Sequence, residues 1–517
     1  MSFTTLNFLF FFAIVFWGYY LIPKRWQWIW LLVASFVFYA FSAWWALFYL
    51  AGTIALTYGG ARWIDALEGK RKEAIKNCPK EEKSAVKKKF ERKKRGVLAG
   101  VLVLLVGLLA FVKYTNFFLD IGFKLMGGEG ESPALSLLVP IGLSFYLFQN
   151  IGYLIDVYRG QYEAEKNPFR FALAISYFPH LLQGPLDDYK AVSTALYASR
   201  EFDDSLAVSG AKRAAWGFFK KLVIANQAAS ICNPIISAGG GYDGLSVITC
   251  MVLYAIELYA DFSGYMDIAI GCSRMLGVPI AENFRSPYFS GSIAEFWRRW
   301  HITLGTWFKN YLFYPILRSK WCSSIRKGLK KHKYLANTLP NVIALCIVWV
   351  LIGLWHGANI SYVLYGIYHG GFIVLETVFA PLYDKFHKKF PKVQKNVFFR
   401  MFRVVRTFAL VTVGYYLFAP AAISLTKSLI LSTFEWEWSE FVSFGYYNFR
   451  ELLVVLFSTA VLVFVDAYGC REDRLPLSAW VAKQKAPVRY LLYIALIFSI
   501  LLLMVYGGEA MFAYFKF

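Results

Sequence analysis

One histidine stands at the end of a long apolar run. No charged residue occurs from Asn341 to Trp355, His356 follows, and a Gly-Ala-Asn break (357–359) then interrupts the pattern. An ionisable group inside a membrane segment is energetically costly, which makes it a functional candidate. A neutral imidazole at that depth could take a proton from a hydroxyl group, so His356 is a candidate general base. Considered alone, such a histidine is more often structural.

A second histidine, His301, follows an aromatic and basic cluster. Four residues around it recur at helical spacing and would share one face: Phe296, Trp300, Thr303 and Trp307. Tryptophan and arginine together suit the headgroup boundary, so the composition predicts a single interfacial amphipathic helix. We expect four neighbours to shape the segment that presents His301: Trp297, Arg298, Arg299 and Trp300. Alternatively, Arg298 or Arg299 could bind a donor phosphate through charge-assisted hydrogen bonds.

Three acidic residues interrupt another apolar run. Glu257 and Asp261 lie four positions apart, which places them on one helical face, and Asp267 follows. The Ser263-Gly264 pair between them predicts a kink. These acids could pair with arginines elsewhere in the fold, or Asp261 could contact the substrate or a catalytic histidine.

Other catalytic chemistries have no support in the sequence. It contains no glycine-rich phosphate cradle, no metal-ligand spacing and no Gly-x-Ser-x-Gly nucleophile turn, so we expect no metal and no bound cofactor. The seven cysteines are scattered without short paired spacings, which predicts reduced thiols rather than disulfides.

The composition indicates the environment in which these residues work. Of 517 residues, 58% are hydrophobic and only 17% are charged, a balance that argues against a water-soluble protein. The formal net charge of +22 comes largely from basic blocks between apolar runs, a distribution typical of membrane loops and not of a nucleic-acid-binding surface. A lipid bilayer is therefore the expected partner, and nucleic acid is not.

Continuous apolar runs of about 20 residues predict helices rather than a β-barrel. The fold class is therefore all-α and polytopic, with about 11 spanning helices. The predicted spans are 7–22, 27–43, 44–64, 97–121, 134–156, 243–270, 338–356, 360–382, 402–420, 449–468 and 488–508. Weaker stretches at 169–185, 213–237 and 286–316 are predicted to be re-entrant or interfacial. No linker separates a soluble domain, so residues 1–517 are predicted to form one membrane domain.

The basic segments predict the orientation. Residues 67–96 carry thirteen Lys/Arg against five acids and should form a cytoplasmic loop. Counting spans in both directions places the N-terminus and the C-terminus outside, with the acidic stretch 435–438 also outside. The same count places the basic segments 318–333, 385–406 and 471–489 in the cytoplasm.

Several motifs, in a fixed order, resemble the membrane-bound O-acyltransferase family. They are Phe178-Pro179 with Gly184-Pro185, Asp261 to Tyr265, Asn283-Phe284 with Pro287-Tyr288, Phe296 to His301, and Leu354 to Gly357. They span roughly residues 140–375, with weaker similarity as far as 512–517. Residues 3–20 and 155–159 look closest to the bacterial alginate O-acetylation type, whereas His180 and Asp187-Asp188 depart from it.

The resemblance implies both a fold and an activity. It implies helices around a central funnel in the bacterial cell membrane, with His356 and His301 as the catalytic pair and Trp355 beside them. It also implies an acyl thioester donor, most simply acetyl-coenzyme A, a cell-surface polysaccharide as final acceptor, and an extracytoplasmic acyltransferase or esterase-like partner. D-alanyl transfer to teichoic acid from an acyl carrier protein is an alternative.

Two further functions need no acyl transfer. A transporter or flippase could line a polar path with Glu257, Asp261 and Asp267, although the sequence shows no inverted repeat. A structural scaffold would leave the ordered motifs without a reason.

Overall fold

The computed structural model describes residues 1–128, 134–135, 137–420, 422–436, 449–470 and 477–505. The regular structure of this part of the chain is helical, and it contains no β-strand. The all-α prediction is confirmed. The acidic stretch 435–438, predicted to lie outside, is described only as far as residue 436, and residues 512–517, which carry the weaker family similarity, lie outside the described residues.

The first compact unit comprises Met1–Ala211 and Ala269–Ala281. Its helices are Leu6–Leu21, Lys24–Trp26 (a 3-10 turn), Gln27–Ala40, Ala46–Asn77, Lys83–Leu125, Leu143–Arg159, Pro168–Ser176, Phe178–Leu181 and Tyr189–Tyr197. Local sequence fixes several starts. The Asn167 side chain accepts hydrogen bonds from the first turn that Pro168 opens, and Asp188 accepts one from the backbone of Ala191.

The second unit comprises Lys212–Ile268 and Glu282–Phe517. Two helices, Asp204–Phe218 and Gly244–Met275, contribute residues to both units. The others are Phe219–Ala225 (a π-helix), Asn226–Ala238, Pro287–Phe289 (a 3-10 turn), Ile293–Arg299, Ile302–Phe308, Lys309–Phe313 (a π-helix), Tyr314–Leu317, Lys320–Gly328, Lys333–His356, Ile360–Lys389, Pro391–Lys395, Val397–Phe418, Ile423–Ser432, Phe449–Gly469, Leu477–Ala482 and Ala486–Leu503.

Six helices in the described residues are long and apolar enough to cross a membrane. They are Lys83–Leu125, Gly244–Met275, Lys333–His356, Ile360–Lys389, Phe449–Gly469 and Ala486–Leu503. Each overlaps a predicted span. The other five predicted spans also contain helices, so the total of 11 stays a prediction. The span predicted at 134–156 begins only at Leu143, because Pro140 and the left-handed Gly142 precede the helix.

The basic segment 67–96 is more ordered than a solvated loop. Helices Ala46–Asn77 and Lys83–Leu125 extend into it from both sides and leave only five residues between them. Lys94 is buried there and forms ion pairs of 2.9 Å with both Glu68 and Glu91. Arg71 pairs with the same Glu68 carboxylate. A carboxylate shared by two cations therefore joins the two helices.

The positions that depart from the alginate type have structural contacts in the first unit. His180 Nδ1 lies 3.4 Å from the Asp187 carboxylate, and its Nε2 lies 3.1 Å from the carbonyl oxygen of Ala174. The second Asp187 oxygen accepts a 2.7 Å hydrogen bond from the backbone of Ala281. These contacts fix the loop between helices Phe178–Leu181 and Tyr189–Tyr197.

Close glycine contacts pack the helices of the second unit. A Cβ atom on Gly353 would lie 2.5 Å from the carbonyl oxygen of Tyr362, and one on Gly366 would lie 2.4 Å from that of Trp349. Glycine at both positions lets helices Lys333–His356 and Ile360–Lys389 approach closely, as small residues do in membrane helix pairs. This hairpin places His356 at its turn.

Candidate active site

His356 ends its helix at the turn between two packed helices. Gly357 follows in an extended conformation, and Asn359 begins the next helix by accepting a 2.9 Å hydrogen bond from the backbone of Ser361. A side chain on Gly357 would meet the ring of Tyr362 at 2.5 Å. The Gly-Ala-Asn break therefore closes the hairpin tightly and fixes the backbone of His356.

Aromatic rings enclose the His356 imidazole, which is only 2% exposed. The centroids of Trp355 and Phe418 lie 4.9 and 5.2 Å from its own, and that of Tyr365 lies at 6.0 Å. Apolar surroundings of this kind exclude water and strengthen electrostatic interactions. The position therefore suits a group that transfers a proton away from bulk water.

His301 occupies a backbone conformation that is rare for a residue with a side chain. Its φ angle is +46°, in the left-handed region, and it lies between helices Ile293–Arg299 and Ile302–Phe308. The single amphipathic helix predicted from residue spacing is therefore wrong, because Trp300 and His301 break it. Such a conformation costs on the order of 1–3 kcal/mol and persists only where neighbouring contacts hold it.

Asn283 supplies those contacts. Its carbonyl oxygen accepts a 3.0 Å hydrogen bond from the backbone of Ile302. Its side-chain Oδ1 accepts two more of 3.0 Å, from the backbone and the hydroxyl of Thr303. The same Oδ1 lies 3.3 Å from Nδ1 of His301. One asparagine thus contacts both the turn and the imidazole.

A single indole contacts both histidines. The Trp355 ring centroid lies 4.9 Å from that of His356 and 6.2 Å from that of His301. Phe262, on helix Gly244–Met275, packs edge-on against His301, with the two ring centroids 4.8 Å apart. The two histidines, far apart in sequence, are therefore close neighbours in one buried aromatic environment.

The residues predicted to shape the His301 segment differ in their contacts. Trp300 is buried, and Trp297 packs against Trp349 at 4.9 Å. Arg299 pairs with Glu295 at 2.7 Å, whereas Arg298 is exposed. Arg299 therefore supports its own helix, and only Arg298 presents its guanidinium to the surroundings.

The acids of helix Gly244–Met275 pair with cations from the preceding helical segment. Asp261 binds Lys221 at 2.5 Å, and both side chains are almost fully buried. Asp267 binds Lys220 at 2.5 Å and Arg213 at 2.9 Å. Arg213 also pairs with Glu282. The expectation that these acids pair holds for Asp261 and Asp267, but two of the three cations are lysines rather than arginines.

The Ser263-Gly264 pair lies within the uninterrupted helix Gly244–Met275, and the kink expected there stays a prediction. A Cβ atom on Gly264 would lie 2.9 Å from the carbonyl oxygen of Gly217. Gly264 thus serves close packing against the segment that carries Lys220, whose ammonium group also donates a 2.8 Å hydrogen bond to Ser263.

Comparison with known proteins identifies the family. The chain matches the model of the membrane-bound O-acyltransferase family over residues 245–418. It is 34% identical over 480 residues to a probable alginate O-acetylase of Pseudomonas putida, covering 91% of this chain and 88% of that protein. The chain belongs to the membrane-bound O-acyltransferase family. The matched region contains both histidines.

More distant relatives of this O-acyltransferase have other named acceptors. A peptidoglycan O-acetyltransferase of Helicobacter pylori is 29% identical over 407 residues, covering 72% of this chain and 68% of that protein. A teichoic acid D-alanyltransferase of Bacillus subtilis is 28% identical over 294 residues, covering 56% and 71%. The membership confirms a multi-pass membrane protein of the acyltransferase class.

Sequence reasoning assigned no role to two residues of this candidate site. Asn283 was noted only as part of a motif. His369 is fully buried beside Tyr365 and Trp297, with ring centroids at 4.5 and 5.3 Å. An ionisable residue four positions after Tyr365 within an apolar run was the available signal for His369.

No group of three or more His, Cys, Asp or Glu side chains in the described ranges could hold a metal ion. The prediction that no metal takes part stays a prediction.

Proposed function

We propose that this protein transfers an acetyl group from a cytoplasmic thioester toward a cell-surface polysaccharide, with His356 as general base. The observation that carries the proposal is the pairing of two buried histidines against one indole, Trp355. Acyl transfer to a hydroxyl needs a base in a site that excludes water, because water would hydrolyse the donor. The enclosed imidazole of His356 meets both needs.

The chemistry requires one proton transfer to the base. His356 takes the proton of the acceptor hydroxyl while the oxygen attacks the thioester carbonyl. The new C–O bond forms, the C–S bond breaks, and the proton then leaves with the thiolate as a thiol. A positioned base of this kind contributes about 10²–10⁴-fold to the rate. His301 positions the acceptor or donor, or stabilises the developing charge.

Acetyl transfer is preferred over D-alanyl transfer because of the relatives. The probable alginate O-acetylases match nearly the whole chain, whereas the D-alanyltransferase of Bacillus subtilis matches 56% of it. We therefore propose acetyl-coenzyme A as donor, with an extracytoplasmic partner completing transfer to the polymer. Transport is disfavoured because ion pairs with Lys221, Lys220 and Arg213 account for Asp261 and Asp267 without a polar path.

The proposed orientation follows the basic segments. Residues 67–96 and 318–333 would face the cytoplasm, where the donor is made, and both termini would lie outside. The variants Ser84→Cys and Ser323→Cys, labelled with a thiol reagent in intact cells and in inverted membranes, would test which side of the membrane these two segments face.

The test of function supplies each donor separately. Membranes from cells that produce the polymer receive labelled acetyl-coenzyme A alone, and alkali-labile label in the polymer fraction measures ester formation. The proposal predicts labelling without an aminoacyl carrier. Labelling only from a D-alanyl carrier protein would refute acetyl transfer in favour of D-alanylation. Label that crosses the membrane without forming an ester linkage would indicate transport.

A further inference from the structure

The contacts of Asn283 determine which way its amide points. A backbone N–H can only donate, so the side-chain atom 3.0 Å from the Thr303 nitrogen must be the oxygen. The amide nitrogen then faces the Met266 sulfur, a weak acceptor, at 3.4 Å. The same oxygen accepts from the Thr303 hydroxyl. The orientation of the Asn283 side chain is thus assigned by the backbone N–H of Thr303, a donor that cannot accept.

This orientation decides the tautomer of His301. The imidazole Nδ1 lies 3.3 Å from Oδ1 of Asn283, which has only lone pairs to offer. A hydrogen bond between them requires the proton on Nδ1. In a neutral ring the lone pair is then on Nε2, so that nitrogen accepts a hydrogen bond and cannot donate one.

We propose that Asn283 is a positioning residue that holds His301 as the Nδ1-protonated tautomer, so that its Nε2 accepts a hydrogen bond from the acceptor hydroxyl. This inference rests on the proposed function and narrows it. Of the roles open to His301, neutral Nε2 fits alignment of the hydroxyl substrate and does not fit donation to an oxyanion. The left-handed turn at His301 is held by the same asparagine.

Among the charged groups on the elements around His301, Glu257 lies on the same helix as Asp261, and Arg285 and Arg298 are exposed. Several other charged groups form ion pairs. They are Asp261 with Lys221, Asp267 with Lys220 and Arg213, Glu282 with Arg213, and Arg299 with Glu295. The Trp355 ring lies 6.2 Å from the His301 ring and 4.9 Å from the His356 ring, measured between centroids. A substitution at Asn283 therefore changes the charge at a position 3.3 Å from Nδ1 of His301.

Two substitutions of Asn283 distinguish a residue that positions the His301 imidazole from one that only stabilises the backbone turn. Asn283→Leu keeps a similar volume but removes the acceptor, and we expect at least a tenfold loss of ester formation with the KM for acetyl-coenzyme A unchanged. Asn283→Asp keeps an oxygen for all three donors, and we expect it to retain most activity at pH 8. Its negative charge favours the imidazolium form of His301, so the acidic limb of its pH–rate profile should move to higher pH.

The controls make each outcome decisive. Met266→Leu removes only the weak partner of the amide nitrogen and should leave the pH profile unchanged. The profile is a ratio of rates and does not depend on how much protein folds. The inference is overturned if the pH–rate profile of Asn283→Asp superimposes on that of the unsubstituted protein and His301→Asn nevertheless loses activity. Full activity of His301→Asn would instead refute the proposed role of His301 and this inference together.

Discussion

The buried pair of Asp261 and Lys221 offers a test of whether Asp261 is structural or touches substrate. Their side chains are 3% and 4% exposed, so solvent screens the pair very little. Removing one partner of a buried pair leaves an uncompensated charge and typically costs about 3–5 kcal/mol. We expect Asp261→Asn to lower the free energy of unfolding by about this amount.

Replacing both partners should reverse most of the loss. Asp261→Leu with Lys221→Met puts apolar side chains of similar volume in the same space, and such replacements are often neutral. We expect the double variant to unfold within about 1 kcal/mol of the unsubstituted protein and to regain ester formation. Unfolding in mixed micelles of dodecyl maltoside and increasing SDS measures the stability, and acetyl transfer in membranes measures the activity.

An exposed ion pair provides the matched control. Lys24 and Glu201 are 56% and 81% exposed, so solvent screens this pair and Glu201→Gln should leave the unfolding free energy unchanged within the error of the measurement. A double variant at 261 and 221 that is stable but inactive would refute the structural assignment and return Asp261 to the candidate substrate contacts. A double variant as unstable as the single one would refute the pairing argument itself.

Two further predictions concern the helices that support the two units. Hydrogen bonding from Arg71, opposed by partial burial and assisted by Lys94, lowers the pKa of Glu68 to about 2. The stabilisation by this carboxylate should be complete above its unfolded pKa of about 4.5 and should disappear as the pH falls toward 2. The thermal stability of the unsubstituted protein should therefore approach that of Glu68→Gln as the pH falls through this range. Glu376 accepts 3.0 Å hydrogen bonds from the hydroxyl of Ser292 and the backbone of Ile293, at the start of the helix before His301. Glu376→Ala should cost about 1–3 kcal/mol in micelle unfolding and reduce ester formation, whereas unchanged values for both would show that this cap does not support the site.

The sequence was informative where one residue interrupts a long, uniform pattern. His356 stands out because nothing charged precedes it for fifteen residues, and its helix ends at the predicted residue. Six predicted spans coincide with long apolar helices for the same reason. Length and composition decide such features, so no knowledge of tertiary contacts is needed.

The sequence was less informative where tertiary contacts override local periodicity. Spacing alone made residues 296–307 one helix, because it carries no information on the contacts through which Asn283 holds the turn at His301. It also did not reveal Lys220 and Lys221 as partners of the buried acids. These adjacent lysines both reach helix Gly244–Met275 from the π-helix Phe219–Ala225, whose wider turn departs from the α-helical spacing used for prediction.

The most direct test of the central claim is ester formation from labelled acetyl-coenzyme A in membranes that contain His356→Ala, with exposed His332→Ala as the matched control. We expect the rate of His356→Ala to fall at least about 100-fold, since a positioned base contributes about 10²–10⁴-fold. Its level in the membrane and its folding should stay normal, and His332→Ala should keep full activity. Unchanged ester formation by His356→Ala would contradict the assignment of His356 as the general base.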